Sequence, residues 1–481
     1  MASHKICLMN DSFPPIIDGV ANVVLNYAEN ICALGGSAAV VTPNHPEAQD
    51  GAFSFPVMRY PSIDMRKRLG YMAGYPFSPE LARRLQDWGA ELIHSHCPIA
   101  STALARELRF VLKAPIVFTY HTKFDIDIAR AVRGKLLQES ALKMLAKNIS
   151  SCDEVWVVSR GAGENLRSIG YEGDYTVMEN GVDIPRGRLS RERIEELIGD
   201  TAIPDGLPVF LFVGRLMWYK GIDIILDALA ALSARGQDFR MVFVGDGADR
   251  GGIIERLCEL KLENRCVFTG AISERDELRA WYSRADLFLF PSTFDTNGLV
   301  VREAAACSLA SVLIEGSCAA EGVTDGETGF LIKKDAEAMA ELLASLCQNP
   351  EKMRRVGENA ASGLYISWQD SVSRAYERYG AVIEKYKSGG YPERSGSLDD
   401  FLSFQGELME GFSKAGRFGK DVVADLNAKR AELHDDLKAK GAELYGGIRE
   451  QGEALRSAVK DGRDKLRDTR DELWSKMSRY L

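Results

Sequence analysis

Two cations five residues apart stand out in the stretch Phe212-Val213-Gly214-Arg215-Leu216-Met217-Trp218-Tyr219-Lys220-Gly221. An apolar run ends at Gly214, so Arg215 and Lys220 fall at the carboxyl end of a strand, where both can reach one diphosphate. Arg would supply a bidentate fork and Lys a point charge. Two solvated surface cations are the ordinary alternative, and the position at a strand end argues against it. A second stretch runs Pro291-Ser292-Thr293-Phe294-Asp295-Thr296-Asn297-Gly298-Leu299-Val300-Val301-Arg302-Glu303-Ala304. Its two carboxylates, Asp295 and Glu303, flank Asn297-Gly298-Leu299 and a helix start. Such a pair can accept hydrogen bonds from sugar hydroxyls while the amides around Gly298 face phosphate. A third stretch, Asp11 to Val20, sets Gly19 at a strand-to-helix turn, where backbone can approach an anion and the helix N-terminus favours negative charge. A plain tight turn is the alternative there.

These residues need a scaffold that brings strand ends together. Short apolar runs at Ile6–Met9, Ala38–Val41, Glu91–Ser95, Ile116–Tyr120 and Glu154–Ser159 read as buried strands, with helical patterns such as Ala21–Leu34 and Pro79–Trp88 between them. After the polar stretch Arg186–Asp205 a second series begins: Val209–Val213, Met241–Val244, Cys266–Thr269, Leu287–Phe290 and Ser311–Ile314. Ile222–Arg235, Arg250–Leu260, Asp276–Ser283 and Val301–Cys307 are the intervening helices, and Trp368–Lys387 is one more. Strand–helix alternation repeated twice predicts an α/β chain of two doubly wound, Rossmann-like domains, each with a parallel sheet. Two such domains in tandem create a cleft, and ligands collect at the carboxyl ends of their strands.

Composition narrows the function classes. Hydrophobic content of 46% and charged content of 27% suit a globular protein with sizeable cores. A net charge of -9 argues against general nucleic-acid binding, which wants a basic face. Nine cysteines, none in a CxxC pair, read as reduced thiols rather than a disulfide framework or a zinc site. No signal-peptide pattern follows the first residues, so a cytoplasmic protein is expected. No GxxxxGK[ST] occurs, which makes ATPase chemistry improbable. Asp125-Ile126-Asp127 imitates a metal-binding DxD, and His94-Ser95-His96 imitates a metal pair without further ligands at metal spacing. Gly161-Ala162-Gly163 lacks the third glycine of a dinucleotide fingerprint.

The sequence resembles the retaining GT-B glycosyltransferases of family 4. Phe13-Pro14-Pro15 with Gly19, Gly214-Arg215 with Lys220-Gly221, Val244-Gly245-Asp246-Gly247, and Asp295 with Glu303 carry the resemblance, over roughly residues 5 to 385. Glu179-Asn180-Gly181-Val182-Asp183 before the domain crossover, and Trp368 on a helix returning to the first domain, fit the same pattern. Two positions depart from it. The family usually has Glu where this chain has Asp295, a reach shorter by about 1.5 Å, one carbon–carbon bond. It usually has Gly-Gly where this chain has Asp18-Gly19.

The resemblance implies transfer of a hexose from a nucleoside diphosphate, UDP-glucose being the expected donor, with retention at the anomeric carbon. Arg215, Lys220 and the amides near Gly19 and Gly298 would stabilise the leaving diphosphate in place of a metal ion. The donor is a substrate, so neither cofactor nor metal is expected. The donor-binding set is Gly19, Gly214, Arg215, Lys220, Asp295, Asn297, Gly298, Leu299 and Glu303. Within it, Asp295 would orient the sugar and Glu303 the ribose. In Thr119-Tyr120-His121-Thr122-Lys123-Phe124, similar to the family's glycolipid-forming members, His121 would face the reacting end of the sugar; a structural histidine is the alternative. His121, Asp295, Arg215 and Lys220 are the catalytic candidates.

The expected acceptor is a membrane lipid such as diacylglycerol or a glycosylated diacylglycerol. Asp127–Ile149 carries Arg130, Arg133, Lys135, Lys143 and Lys147, a basic amphipathic segment that would suit an anionic leaflet at the inner face of the cell membrane. An ordinary solvated helix face is the other reading. The organisation this implies is an acceptor-binding domain at 1–190, a nucleotide-sugar-binding domain at 191–367, the returning helix at 368–387, a linker at 388–420 and a tail at 421–481. In the tail Val422, Leu433, Leu444, Leu455, Leu466 and Met477 recur every eleven residues, a period close to that of a straight helix. Its 13 Lys/Arg balance 13 Asp/Glu, which leaves open a helix lying on a membrane and a self-associating right-handed coiled coil. Two rivals stand beside this reading: transfer to a soluble or polysaccharide acceptor, and a non-catalytic transferase-like scaffold presenting the tail.

Overall fold

The structure, a computed structural model, describes residues 3–394 except 17, 65–71, 75–77, 126, 127, 129–134, 200–202, 204, 205 and 393. The eleven-residue repeat and most of the expected linker lie outside the described residues, as do Arg130 and Arg133.

Residues 5–177 build one seven-stranded parallel sheet. Its strands are β1 (Lys5–Met9), β2 (Ser37–Pro43) and β3 (Val57–Tyr60), followed after a small antiparallel pair, β4 (Ser62–Asp64) and β5 (Met72–Gly74), by β6 (Leu92–Ser95), β7 (Ile116–Tyr120), β8 (Glu154–Val157) and β9 (Thr176–Val177). The order across the sheet is β3-β2-β1-β6-β7-β8-β9. A parallel strand is covered on both faces, and β1 shows it: Cys7 and Met9 join one core cluster while Ile6 and Leu8 join the other.

Residues 209–332 build a six-stranded parallel sheet from β10 (Val209–Val213), β11 (Arg240–Val244), β12 (Cys266–Gly270), β13 (Leu287–Phe290), β14 (Ser311–Ile314) and β15 (Phe330–Ile332). Its order is β12-β11-β10-β13-β14-β15. In both sheets the winding reverses beside the first strand, between β1 and β6 and between β10 and β13. A doubly wound sheet opens its crevice at the carboxyl ends of that strand pair. The loops leaving β10 and β13 are the two stretches singled out in the sequence for Arg215, Lys220, Asp295 and Asn297.

The helix Trp368–Lys387 covers one face of the first sheet, not the second that precedes it in the chain. Trp368, Val372, Ala375, Tyr376, Tyr379, Val382 and Ile383 recur at helical spacing and join the cluster of Ile6, Leu8 and Trp156. Val372, Val382 and Ile383 each contribute about 1.5–3 kcal/mol by leaving water. Ser367 starts the helix by accepting a hydrogen bond from the Asp370 N–H at 3.1 Å.

Several elements had no clear sequence signal. The stretch read as polar before β10 contains a helix, Arg191–Ile198, capped by Ser190 and burying only Ile194. One buried position in eight residues sets no periodicity. The basic segment expected over Asp127–Ile149 is helical over Lys135–Ser150. Leu145 and Ile149 face the core there, while Lys135, Lys143 and Lys147 are exposed. No helix among the described residues is long and apolar enough to cross a membrane.

Candidate active site

The loop after β10 separates the two cations. Gly214 closes the strand, its N–H donating to the Val244 carbonyl at 3.0 Å. Arg215 then projects into solvent, and its guanidinium meets no partner among the described residues. Lys220 sits at the end of a single 3-10 turn, Trp218–Lys220, and is only 7% exposed. Gly221 ends that turn at φ 77°, and a Cβ there would stand 2.5 Å from the Pro291 carbonyl oxygen, so the close approach to the end of β13 requires glycine. That approach delivers Lys220 to Asp295, with Nζ 2.6 Å from Oδ1. The other carboxylate oxygen of Asp295 accepts from the Ser292 hydroxyl at 2.5 Å. Rings of Tyr219, Phe290 and Phe294 surround the ammonium at 5.7–5.8 Å. A buried ammonium must be paired, which is why the expected two-cation clamp is unequal: Arg215 is open, whereas Lys220 is already answered by a carboxylate.

The loop after β13 ends at Gly298 with φ 58°, which starts the helix Leu299–Ala306 two residues earlier than the sequence pattern indicated. A Cβ on Gly298 would come within 3.0 Å of Ala319 Cα. Both side-chain polar atoms of Asn297 are buried, with no partner among the described residues. They border a small crevice lined also by Ser159, Glu179, Arg302, Cys318 and Glu321. Glu303, one turn into the helix, accepts a hydrogen bond from the Tyr282 hydroxyl at 2.9 Å and faces Arg275 at 3.7 Å. Burial pushes its carboxyl above the usual carboxylate range, with Tyr282 and Arg275 pulling it back. Arg275 also pairs with Asp183 at 2.9 Å, linking the crossover motif to this carboxylate. Sequence reasoning missed Arg275 and Tyr282, although they lie seven apart on one face of the helix Arg275–Arg284.

The first sheet contributes His121 and the start of the helix Gly19–Ala33. The amides near Gly19 were expected to face a diphosphate. Asp18 caps the helix Gly19–Ala33: its Oδ1 accepts from Val20 N at 2.9 Å and Ala21 N at 2.7 Å, and its Oδ2 accepts from the Ser12 hydroxyl at 2.5 Å. A carboxylate placed one residue before a helix satisfies the orphan N–H groups itself, so those two amides are engaged by the chain.

His121 follows β7 directly and is 8% exposed. Its Nε2 lies 2.9 Å from His96 Nδ1, the two rings nearly parallel with centroids 5.2 Å apart. Burial pushes the His121 imidazole down to about 3, so it is neutral at physiological pH. His94 lies next, its ring tilted by 40° with its centroid 3.9 Å from that of His96, and holds Tyr379 and Thr119 at 2.5 and 2.7 Å. The tripeptide that imitates a metal pair thus forms a buried support behind His121.

Polar contacts join the two halves of residues 3–394 around this point. The Thr296 hydroxyl donates to the His121 carbonyl at 2.7 Å, and Ser159 Oγ donates to the Thr296 carbonyl. Arg302 pairs with Glu179. The Glu321 carboxylate accepts from Arg160 N at 2.7 Å and Gly161 N at 3.1 Å, at the start of the helix Arg160–Ser168. Lys135, Lys143 and Lys147 take no part in these contacts.

Two family models match the chain: Glycosyltransferase Family 4 over residues 17–186, and Glycosyl transferases group 1 over residues 193–363. The chain is 25% identical over 368 residues to an alpha-monoglucosyldiacylglycerol synthase of Acholeplasma laidlawii, covering 74% of this chain and 91% of that protein. It is 23% identical over 385 residues to the protein of the same name in Streptococcus pneumoniae, covering 78% and 85%. Among solved structures, Anabaena HepE in complex with UDP and glucose aligns at a TM-score of 0.62 and 20% identity, over 79% of this chain and all of that one. A sucrose-phosphate synthase from Thermosynechococcus elongatus aligns at 0.62 and 22% identity, over 79% and 99%.

Proposed function

The chain belongs to the family 4 glycosyltransferases of GT-B fold, and from that premise we propose that it moves glucose from UDP-glucose to a membrane lipid, diacylglycerol or a glycosylated diacylglycerol, with retention at the anomeric carbon. The observation that carries the reading is the convergence at the switch point of the second sheet: an exposed Arg215, the pair of buried Lys220 with Asp295, and an Asn297 amide with no partner among the described residues. Glycosylated diacylglycerol in the names of both curated relatives supports the lipid acceptor, and the glucosyl unit there supports the sugar.

In this reading Arg215 meets the diphosphate as charge gathers on it, and Lys220 adds a second positive centre from below. Preorganised charge of this kind acts without a metal ion. Asp295 and Asn297 receive the sugar hydroxyls, Glu303 the ribose hydroxyls, and neutral His121 a hydroxyl near the reacting carbon. The exposed face of Lys135, Lys143 and Lys147 would rest against anionic headgroups on the cytoplasmic side. No side chain is assigned as a covalent nucleophile.

The test is incubation of the purified protein with labelled UDP-glucose and vesicles containing diacylglycerol and an anionic lipid, with and without a chelator. A labelled lipid whose anomeric proton coupling is that of the α-glucoside, formed equally in the chelator, is the expected result. Label appearing only in a soluble acceptor would replace the lipid reading. A strict divalent-cation requirement would overturn the metal-free mechanism.

A further inference from the structure

We propose that Thr296 is a positioning residue that couples the donor loop of the second sheet to His121 of the first; the proposal rests on the transferase reading above. Asp295, the preceding residue, is fastened within its own half by Lys220 and Ser292. Asn297, the following residue, lines the crevice, and its buried amide has no partner among the described residues. Thr296 between them reaches across to the other half with both its side chain and its carbonyl.

The hydrogens in this link run one way only. The His121 carbonyl can only accept, so the Thr296 hydroxyl must donate to it. The Thr296 carbonyl also only accepts, so the Ser159 hydroxyl must donate there. Ser159 then uses its lone pair to accept from Ala162 N at 3.0 Å, which is the cap of the helix Arg160–Ser168. The gripped carbonyl belongs to the residue whose imidazole is proposed to meet the sugar, and that imidazole is held from behind by His96. A shift of the donor loop is therefore felt at the His121 backbone through the Thr296 hydroxyl. The other tie between the two loops among the described residues is the long, exposed contact of Lys123 Nζ with the Thr293 carbonyl at 3.5 Å. Glu321 fastens the same helix start without passing through the donor loop, so it serves as a control for general docking of the two halves.

The experiment compares the full-length wild type with Thr296→Val, Thr296→Ser and Glu321→Gln. Three quantities are read: UDP affinity by calorimetry, kcat with UDP-glucose and lipid vesicles, and amide hydrogen exchange without ligand. Thr296→Val should lower kcat about five- to tenfold, the size that one hydrogen bond carries, with UDP affinity unchanged within about twofold. Thr296→Ser, which keeps the hydroxyl, should restore kcat. Exchange in peptides covering Tyr120–Phe124 should quicken in Thr296→Val while Val209–Val213 stays protected. Glu321→Gln should quicken exchange at Arg160–Gly163 and leave Tyr120–Phe124 as in the wild type. Wild-type kcat in Thr296→Val, or no rescue by Ser, overturns the positioning role. Unchanged exchange at Tyr120–Phe124 overturns the coupling. A wild type that neither binds UDP nor transfers glucose defeats the transferase reading, while the exchange data still decide whether Thr296 couples the two halves.

Discussion

Buried Lys220 and partly exposed Asp295 form an ion pair, 2.6 Å from Nζ to Oδ1, between residues 75 positions apart that two strand ends bring together. Arg215, five residues before the lysine on the same loop, is exposed. The two cations should therefore answer mutation differently. Arg215→Ala removes an exposed side chain and should change stability by no more than about 0.5 kcal/mol. Turnover should still fall about a hundredfold or more, because a charge-assisted contact to the leaving diphosphate is worth on the order of 2–4 kcal/mol. Lys220→Ala leaves a partly exposed Asp295 with Ser292 alone and should lower the unfolding free energy by about 1–3 kcal/mol, less than a fully buried pair would cost, as well as abolishing transfer. Denaturant melts alongside kcat/KM check both. Wild-type turnover in Arg215→Ala would remove that residue from the site.

Asp18 predicts an effect of opposite sign. Its carboxylate holds two N–H groups at the start of the helix Gly19–Ala33, a place that would otherwise attract an anion. Asp18→Ala should cost about 1 kcal/mol of stability through loss of the cap. If the donor diphosphate lies against this helix, the same change should tighten UDP binding about two- to fivefold, since it frees the N–H groups and removes a like charge. Calorimetry with UDP reads the sign directly; weaker binding would mean that Asp18 contacts the donor favourably.

Much of the scaffold was legible in the sequence, and for one physical reason. A strand covered on both faces must be a short continuous apolar run, and Val209–Val213, Leu287–Phe290 and Ile116–Tyr120 are such runs, each found with its observed bounds. The strand ends then bring Lys220 to Asp295, with Arg215 on the same loop as the lysine. What stayed hidden depends on partners far away in the chain. The Tyr282–Glu303 bond, the Thr296–His121 link and the Glu321 contact span 21, 175 and 161 positions, and no local spacing announces them. The Asp18 cap is local, an acidic residue directly before a helix start, and the sequence reading passed over it.

The stacked histidines make stability depend on pH. Burial holds His94, His96 and His121 below the ordinary 6.5, His121 down to about 3. Between those values the unfolded chain binds protons that the folded chain refuses, so stability is full above pH 6.5 and is lost as pH falls toward 3. Each histidine contributes a slope of up to about 1.4 kcal/mol per pH unit in that window. Urea melts from pH 7 to 4 should show the decline, and His96→Gln should make it shallower by about one proton. An unchanged slope would mean that His96 is charged in the folded protein.

Glu303 carries the last prediction, because its ionisation and its proposed work are linked. A carboxylate accepts two ribose hydroxyls, whereas a protonated carboxyl loses part of that capacity. Burial raises the carboxyl above its ordinary range, and the Tyr282 hydroxyl, donating at 2.9 Å, favours the charged form. UDP affinity should therefore weaken as pH falls through the raised value. Tyr282→Phe removes the donor, so burial acts with less opposition and the acid limb should move to higher pH. The folded-state pKa then lies further above the unfolded one, so the carboxylate form becomes costlier in the fold: at neutral pH the variant should lose about 1–3 kcal/mol, and the loss should shrink as pH falls and Glu303 is protonated in both states. Measuring UDP affinity from pH 5 to 8 for both proteins decides the point. An acid limb at the same pH in wild type and Tyr282→Phe would show that Glu303 does not hold the ribose through its charged form.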